Sequence, residues 1–271
     1  MILNIDLDFF QREDPMWDWG HSESNFGMSN ETLWQIRALG FAHSGGDIVK
    51  ETNIDSAGVH PSDFLKKLQE CGFTFASDIP IVVSNSHLYA YPTCITWMLD
   101  GMRFDKILSF DAHHDMGYKP VNTMASLYKR GEIDCADWQY HLLRRHKHLS
   151  GFQVYPIWRG LAELGGQGLS HLPSTVKKRF GYDVYSEDLL RRHAAPVTGI
   201  YIAKSESWFA PWHDHVVASA VHEMVKTLGA RLFKPFMARE RLDPLRIREC
   251  SLDKINAQVL QLRQTLGRTG T

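Results

Sequence analysis

The sequence predicts an α/β fold of three layers, αβα, around a mostly parallel central sheet, with residues 1–271 in a single domain. Three observations point there. Short runs rich in Ile and Val end in polar or turn residues, as buried strands do. They alternate with segments carrying helix start and stop signals, which implies crossover connections and helices on both sheet faces. No internal repeat, low-complexity tract or linker divides the chain.

The first strand, Ile2–Asp8, opens the chain. Ser29 and Asn30 can cap a helix ending at Gly40, and Pro61–Ser62 open another that stops at Gly72. Ile79–Ser84 is the second strand, followed by a helix over Tyr91–Asp100 that Gly101 ends. Lys106–Asp111, Phe152–Trp158 and Gly199–Lys204 complete the predicted strands. A helix over His215–Leu228 stops at Gly229, and Ser251 precedes a long helical run ending near Gly267. Residues 160–193, rich in Gly and basic side chains, read as an excursion over the surface.

A chain of 271 residues buries enough surface to need neither disulfides nor a structural metal for its core. The formal net charge of −1 argues against general nucleic-acid or anionic-membrane binding. Cys71, Cys94, Cys135 and Cys250 lie far apart with no C-x-x-C spacing, so neither a zinc knuckle nor a disulfide framework is expected. Met1 leads into Ile-Leu-Asn-Ile-Asp without a signal-peptide pattern, and no apolar run approaches the ~20 residues of a membrane span. A cytoplasmic protein is expected. Fourteen histidines are an excess for this length, and their positions decide what that means.

Three clusters sit at carboxyl ends of predicted strands, the edge where open α/β sheets bind ligands. In Asp6-Leu7-Asp8, strand alternation would send both carboxylates to one face, where they repel unless a cation neutralises them; the alternative is a pair of helix-capping acids. In Asp111-Ala112-His113-His114-Asp115, three potential ligands recur at two-residue spacing, a donor set suited to a hard or borderline divalent ion. The plainer reading is a polar loop, with His114 beside the ligands or merely packed. His87 follows the second strand, and a lone histidine there is more often a hydrogen-bonded loop residue. Together the clusters hold four carboxylates and two imidazoles, a charge that two divalent ions cancel.

These motifs resemble the arginase–deacetylase superfamily of binuclear manganese hydrolases. D-A-H-x-D stands here as Asp111-Ala-His113-His-Asp115, and D-x-D with a downstream D-P as Asp6-Leu-Asp8 with Asp14-Pro15. The family's isolated metal-binding histidine matches loosely, as Asn85-Ser86-His87. Ordinary ureohydrolases place D-x-D after D-A-H-x-D, whereas here it opens the chain. With Ile202-Ala-Lys-Ser-Glu206-Ser-Trp-Phe-Ala-Pro211, that order is similar to a branch including peptide arginases, which convert arginine in ribosomally made precursor peptides to ornithine and urea.

The resemblance implies an arginase-like fold, two Mn2+ ions, and a precursor peptide as substrate. Asp6 and Asp111 would bridge the ions, with His87 and Asp115 completing one sphere and His113 and Asp8 the other. Asp115 would pass a proton to the leaving amine, and Glu206 would hold the guanidinium, unless it is a surface acid beside Lys204. His43, His114 and His141 remain open as proton shuttles. Trp17, in Pro15-Met-Trp17-Asp-Trp19, and Trp208, in Trp208-Phe-Ala-Pro-Trp212, can line a peptide groove, although tryptophans near loops more often anchor them. His213-Asp214-His215 with His222 reads as a helix start capped by Asp214 rather than a metal site.

Three rivals stand. A haloacid-dehalogenase-type phosphatase also opens on D-x-D, but Phe10 stands where it needs Thr or Val, and D-A-H-H-D has no role in it. A single-metal deacetylase leaves Asp8, Asp115 and His87 unexplained. A non-catalytic binding module on the same scaffold is the third.

Overall fold

The computed structural model describes residues 1–12, 30–161 and 169–233. In chain order the first half comprises β1 (Ile2–Asp6), α1 (Asn30–His43), α2 (Ile48–Glu51), α3 (Phe64–Glu70), β2 (Thr74–Phe75), β3 (Pro80–Ser84), α4 (Ala90–Leu99) and β4 (Lys106–Phe110). There follow α5 (Val121–Lys129), α6 (Trp138–Arg145), β5 (Ser150–Tyr155), α7 (Ser174–Lys177), β6 (Phe180–Val184), α8 (Glu187–His193), β7 (Pro196–Val197), β8 (Gly199–Ala203), α9 (Asp214–Leu228) and β9 (Arg231–Phe233).

Seven strands form one sheet in the order β6-β5-β4-β1-β8-β3-β9, every pair parallel. β2 and β7 pair separately. The strand side chains explain the layers. Leu3, Ile5, Ile81, Val83, Leu108, Phe110, Ile200 and Ile202 face a core closed by Phe64 and Leu68 of α3, Leu189 and Leu190 of α8, and Val217 and Val221 of α9. The alternate residues Ile2, Ile107, Tyr201 and Ala203 face a second core built on Tyr91, Cys94 and Trp97 of α4 and Trp138, Leu142 and Leu143 of α6. Helices therefore cover both faces, giving the three-layer α/β architecture expected of an arginase-like fold.

β1 lies between β4 and β8; the chain builds outward through β4, β5 and β6 on one side, while on the other β8 fills the place between β1 and the earlier β3. Such a reversal of strand order leaves a crevice outside the carboxyl ends of the central strands. Asp6, the Asp111–Asp115 loop, the turn after β3 and the turn after β8 all lie at that edge.

Several boundaries differ from expectation for local reasons. β1 stops at Asp6, not Asp8, because the Asp6 side chain accepts the Asp8 N–H at 3.3 Å and turns the chain into a 3-10 helix over Leu7–Phe9. Asp8 is thus delivered by a turn, not by strand alternation. α1 runs through Gly40, where a helical glycine costs only about 1 kcal/mol, and left-handed Gly45 (φ 77°) follows its end. β4 and β5 are displaced by one to three residues from their expected ends. Residues 160–193 are not simply a surface excursion: α7, β6 and α8 lie there, and β6 is an edge strand of the sheet. The expected helix after Ser251 falls outside the described residues. Among the described residues, no helix is long and apolar enough to cross a membrane.

Below the sheet's carboxyl edge, Phe64 packs edge-on against Phe110 at 4.8 Å and Phe10 at 5.3 Å. Both partners adjoin the acidic loops. Phe64→Ala is expected to cost about 3–5 kcal/mol in urea unfolding; a loss below about 1 kcal/mol would show that this cluster does not anchor the edge.

Candidate metal centre

Six side chains from three loops converge at the sheet edge. Asp6, Asp8, His87, Asp111, His113 and Asp115 are each at most 9 % exposed. Their polar atoms are close. His87 Nδ1 lies 2.9 Å from Asp6 Oδ2, 2.9 Å from Asp115 Oδ2 and 3.5 Å from Asp111 Oδ2. On the other side His113 Nδ1 lies 2.9 Å from Asp8 Oδ2 and 3.7 Å from Asp111 Oδ1. Two groups have ligand atoms within 4.8 Å of one another: Asp6, His87 and Asp111, and Asp8, Asp111 and His113. Asp111 belongs to both, with one oxygen turned to each.

Each residue has a structural cause for its position. His87 begins a 3-10 turn that the Ser86 hydroxyl caps by accepting the Leu88 N–H at 3.0 Å. Its ring stacks on Tyr201 with centroids 6.0 Å apart. Asn4 Nδ2 donates to Ser109 Oγ, so Asn4 Oδ1 accepts from His87 Nε2–H at 3.1 Å. That bond aims Nδ1 at the carboxylates, the outer hydrogen bond that orients metal-ligating histidines. Asp111 Oδ1 accepts the His113 N–H at 2.7 Å, and Asp8 Oδ1 accepts the Ala112 N–H at 3.2 Å, tying the β1 and β4 loops together. Trp138 Nε1 donates to Asp115 Oδ2 at 2.6 Å.

Two residues at the centre have left-handed backbones, Asp115 (φ 50°) and Ser205 (φ 42°). Such non-glycine conformations cost about 1–3 kcal/mol and cluster at functional sites. Ser205 Oγ donates to Asp6 Oδ2 at 2.5 Å. The Ser205–Ala210 turn is clamped by Gln11, whose amide donates to Trp208 O and accepts the Ala210 N–H.

Burial pushes the Asp6 carboxyl up, and neighbouring Asp8 adds to it. Burial likewise raises Asp111 well above the ordinary range, reinforced by Asp115, Asp8 and Asp6. Burial alone would lower His87, but Asp6 and Asp115 override it and hold the imidazole well above its usual value. Four carboxylates and two imidazoles packed this closely form an oxygen- and nitrogen-donor set for divalent cations.

The remaining candidates divide. Trp208 lines the pocket, its ring 5.5 Å from that of His113. Glu206 instead lines the neighbouring groove, with Oε1 2.8 Å from Lys204 Nζ and Oε2 accepting from Asn30 Nδ2 at 3.2 Å. The pairing with Lys204 is present, though on a mostly buried side chain rather than at the surface. None of the three shuttle candidates lines the metal pocket. His43 is exposed at the end of α1, His114 stacks on Tyr118 at 4.4 Å, and His141 stacks on Tyr128 at 4.8 Å. Asp214 does not cap α9: it is the helix's first residue, buried 3.9 Å from Lys204 Nζ. His213 turns inward to the Thr52 carbonyl while His215 and His222 are exposed, so these residues form no metal group. Trp17 and the Asp14-Pro15 pair lie outside the described residues. Sequence reasoning missed Asn4, Tyr118, Cys135, Trp138 and Ser205. Only Asn4 carried a signal, standing two residues before Asp6 on the same strand face.

A scan against protein-family models matches none, and neither curated proteins nor solved structures give a match. The potential metal-binding cluster and the parallel sheet beneath it are consistent with an arginase-like fold.

The raised groups make a pH prediction. Asp6, Asp111 and His87 hold protons more tightly folded than unfolded, so their contribution to stability is present at low pH. It is lost as pH rises, beginning above the ordinary carboxylate range and continuing past the ordinary histidine range. Cation binding removes this penalty and displaces the protons. The Mn2+-induced rise in Tm, measured against chelator-treated protein, should therefore be larger at pH 8 than at pH 6; an equal or smaller rise would contradict this account of the cluster.

Proposed function

We propose that this chain is a binuclear manganese hydrolase of guanidino groups, acting as a peptide arginase that converts arginine side chains of a ribosomally made precursor peptide to ornithine and urea. The observation that carries the reading is the pair of ligand groups sharing Asp111. A single-metal deacetylase would have no use for the Asp8–His113 side together with the His87 side. Asp6 would be the second bridging ligand, Asp115 would join the His87 side, and Asp8 and His113 would hold the other ion.

Two divalent ions at such a site supply a water activated near neutral pH and polarisation of the substrate. The protein's own groups do the rest. Asp115 Oδ2 is fixed by the Trp138 indole, which leaves Oδ1 to carry a proton toward the amine as the C–N bond to urea breaks. Trp208 forms part of the pocket wall, with the Arg37 guanidinium 5.6 Å from its ring centroid. Glu206, its carboxylate held by Lys204 and Asn30, offers hydrogen-bond acceptors in the groove beside the pocket.

The peptide reading has its own support. Among the described residues that line the groove beside the metal pocket, Lys119 is the one basic side chain, and Asp134 holds it at 2.6 Å. A free amino acid would bring an α-carboxylate needing a cation, whereas a peptide brings neutral amides.

Manganese-loaded protein should release urea from arginine-containing peptides and leave ornithine in the product by mass spectrometry. It should do so far faster than from free arginine or agmatine. Absence of urea from every guanidino compound would overturn the assignment, and a preference for free arginine would overturn its peptide part.

A further inference from the structure

We infer that the exposed face of the turn after β3, Leu88 and Tyr89 with Pro92 beside them, is a subsite for a large apolar side chain flanking the target arginine. The inference rests on the peptide reading above and adds a sequence preference to it.

The space at the metal centre is small. Its cavity measures about 30 Å³, room for a head group but not for a peptide chain. Beside it runs an open groove of about 910 Å³, and Cys135 lines both, so the two adjoin. Whatever carries the guanidinium must lie in the groove. One wall is apolar: Leu88 is 42 % and Tyr89 51 % exposed, Pro92 is exposed next to them, and Ile133 and Leu127 line the space as well. The acids along the groove are paired: Asp134 with Lys119, Glu206 with Lys204 and Glu132 with Arg130.

The turn's geometry couples this wall to the chemistry. In the 3-10 turn His87–Tyr89, His87 points into the buried carboxylates while the next two side chains face outward. A chain lying in the groove with its arginine head among the metal ligands therefore has Leu88 and Tyr89 beside the residues that flank that arginine. Large exposed apolar side chains at such a place lose water when covered by an apolar partner, at about 25 cal/mol per Å². An acidic neighbour would lose hydration against this apolar wall without gaining a counter-charge, because Lys119 is already held by Asp134. The occupant is thus an extended peptide segment with an apolar or aromatic residue near the arginine and no acid beside it.

Fluorescently labelled peptides bearing one arginine, flanked by Leu or Phe, by Gly, or by Glu, would be titrated into the full chain with and without Mn2+, reading anisotropy. Apolar-flanked peptides should bind about tenfold or more tighter than Gly-flanked ones, and Glu-flanked ones weakest. Leu88→Ala/Tyr89→Ala should erase the advantage of the apolar flank while keeping the wild-type Tm, since both side chains are exposed. Equal binding across the peptides, or an advantage that survives the double variant, would overturn the subsite. Flank-dependent binding without urea release by the manganese-loaded protein would leave the subsite standing and sink the hydrolase reading instead.

Discussion

Four carboxylates buried within a few ångströms of one another set the terms for the rest of this structure. Asp6, Asp8, Asp111 and Asp115 cannot all be charged in a dry crevice without opposite charge, because their mutual repulsion and lost hydration each cost more than a single hydrogen bond returns. Backbone N–H groups of Asp8, Ala112 and His113 supply part of the lost solvation. What remains is a formal charge that two divalent cations balance. Left-handed Asp115 and Ser205 are held in costly conformations around this cluster, and the Gln11 clamp and the Trp138 indole are the restraints that hold them.

The sheet makes this crowding feasible. A parallel sheet with β1 at its centre brings the loops after β3, β4 and β8 to one edge, so residues 6, 87, 111 and 205 meet although the chain separates them widely. The same alternation that fills two apolar cores sends Asn4, Asp6 and Ser109 to one face, where Asn4 sits beneath the site and orients His87. Stability and ligand geometry therefore come from one pattern rather than from separate devices. Phe9, Phe64 and Phe110 lie across the sheet from the acids and resist inward collapse of the edge.

Much of this was readable in the residues. The five short apolar runs are strands, and the D-A-H-x-D spacing after one of them puts three of the six side chains at a strand end. Asp8 reaches the cluster not by strand alternation but through a 3-10 turn that Asp6 caps. Ser205 and Trp138 are invisible in the sequence because only the fold brings them to the acids, and a loop Ser or a Trp at a helix start has no periodic signature. β6 was missed because Phe-Gly-Tyr-Asp-Val lacks the Ile/Val density of a central strand, as suits an edge position. The histidines after β8 illustrate the reverse. His213, His215 and His222 looked like a patch in sequence, yet the fold turns one inward and leaves two in solvent.

The account stands on Asp111 serving both halves of the cluster. Its most direct test is metal stoichiometry by native mass spectrometry of manganese-loaded wild type and Asp111→Ala, with Asp8→Ala alongside. Two ions per chain in the wild type, none in Asp111→Ala and one in Asp8→Ala are expected. One ion in the wild type, or two retained by Asp111→Ala, would contradict the binuclear centre.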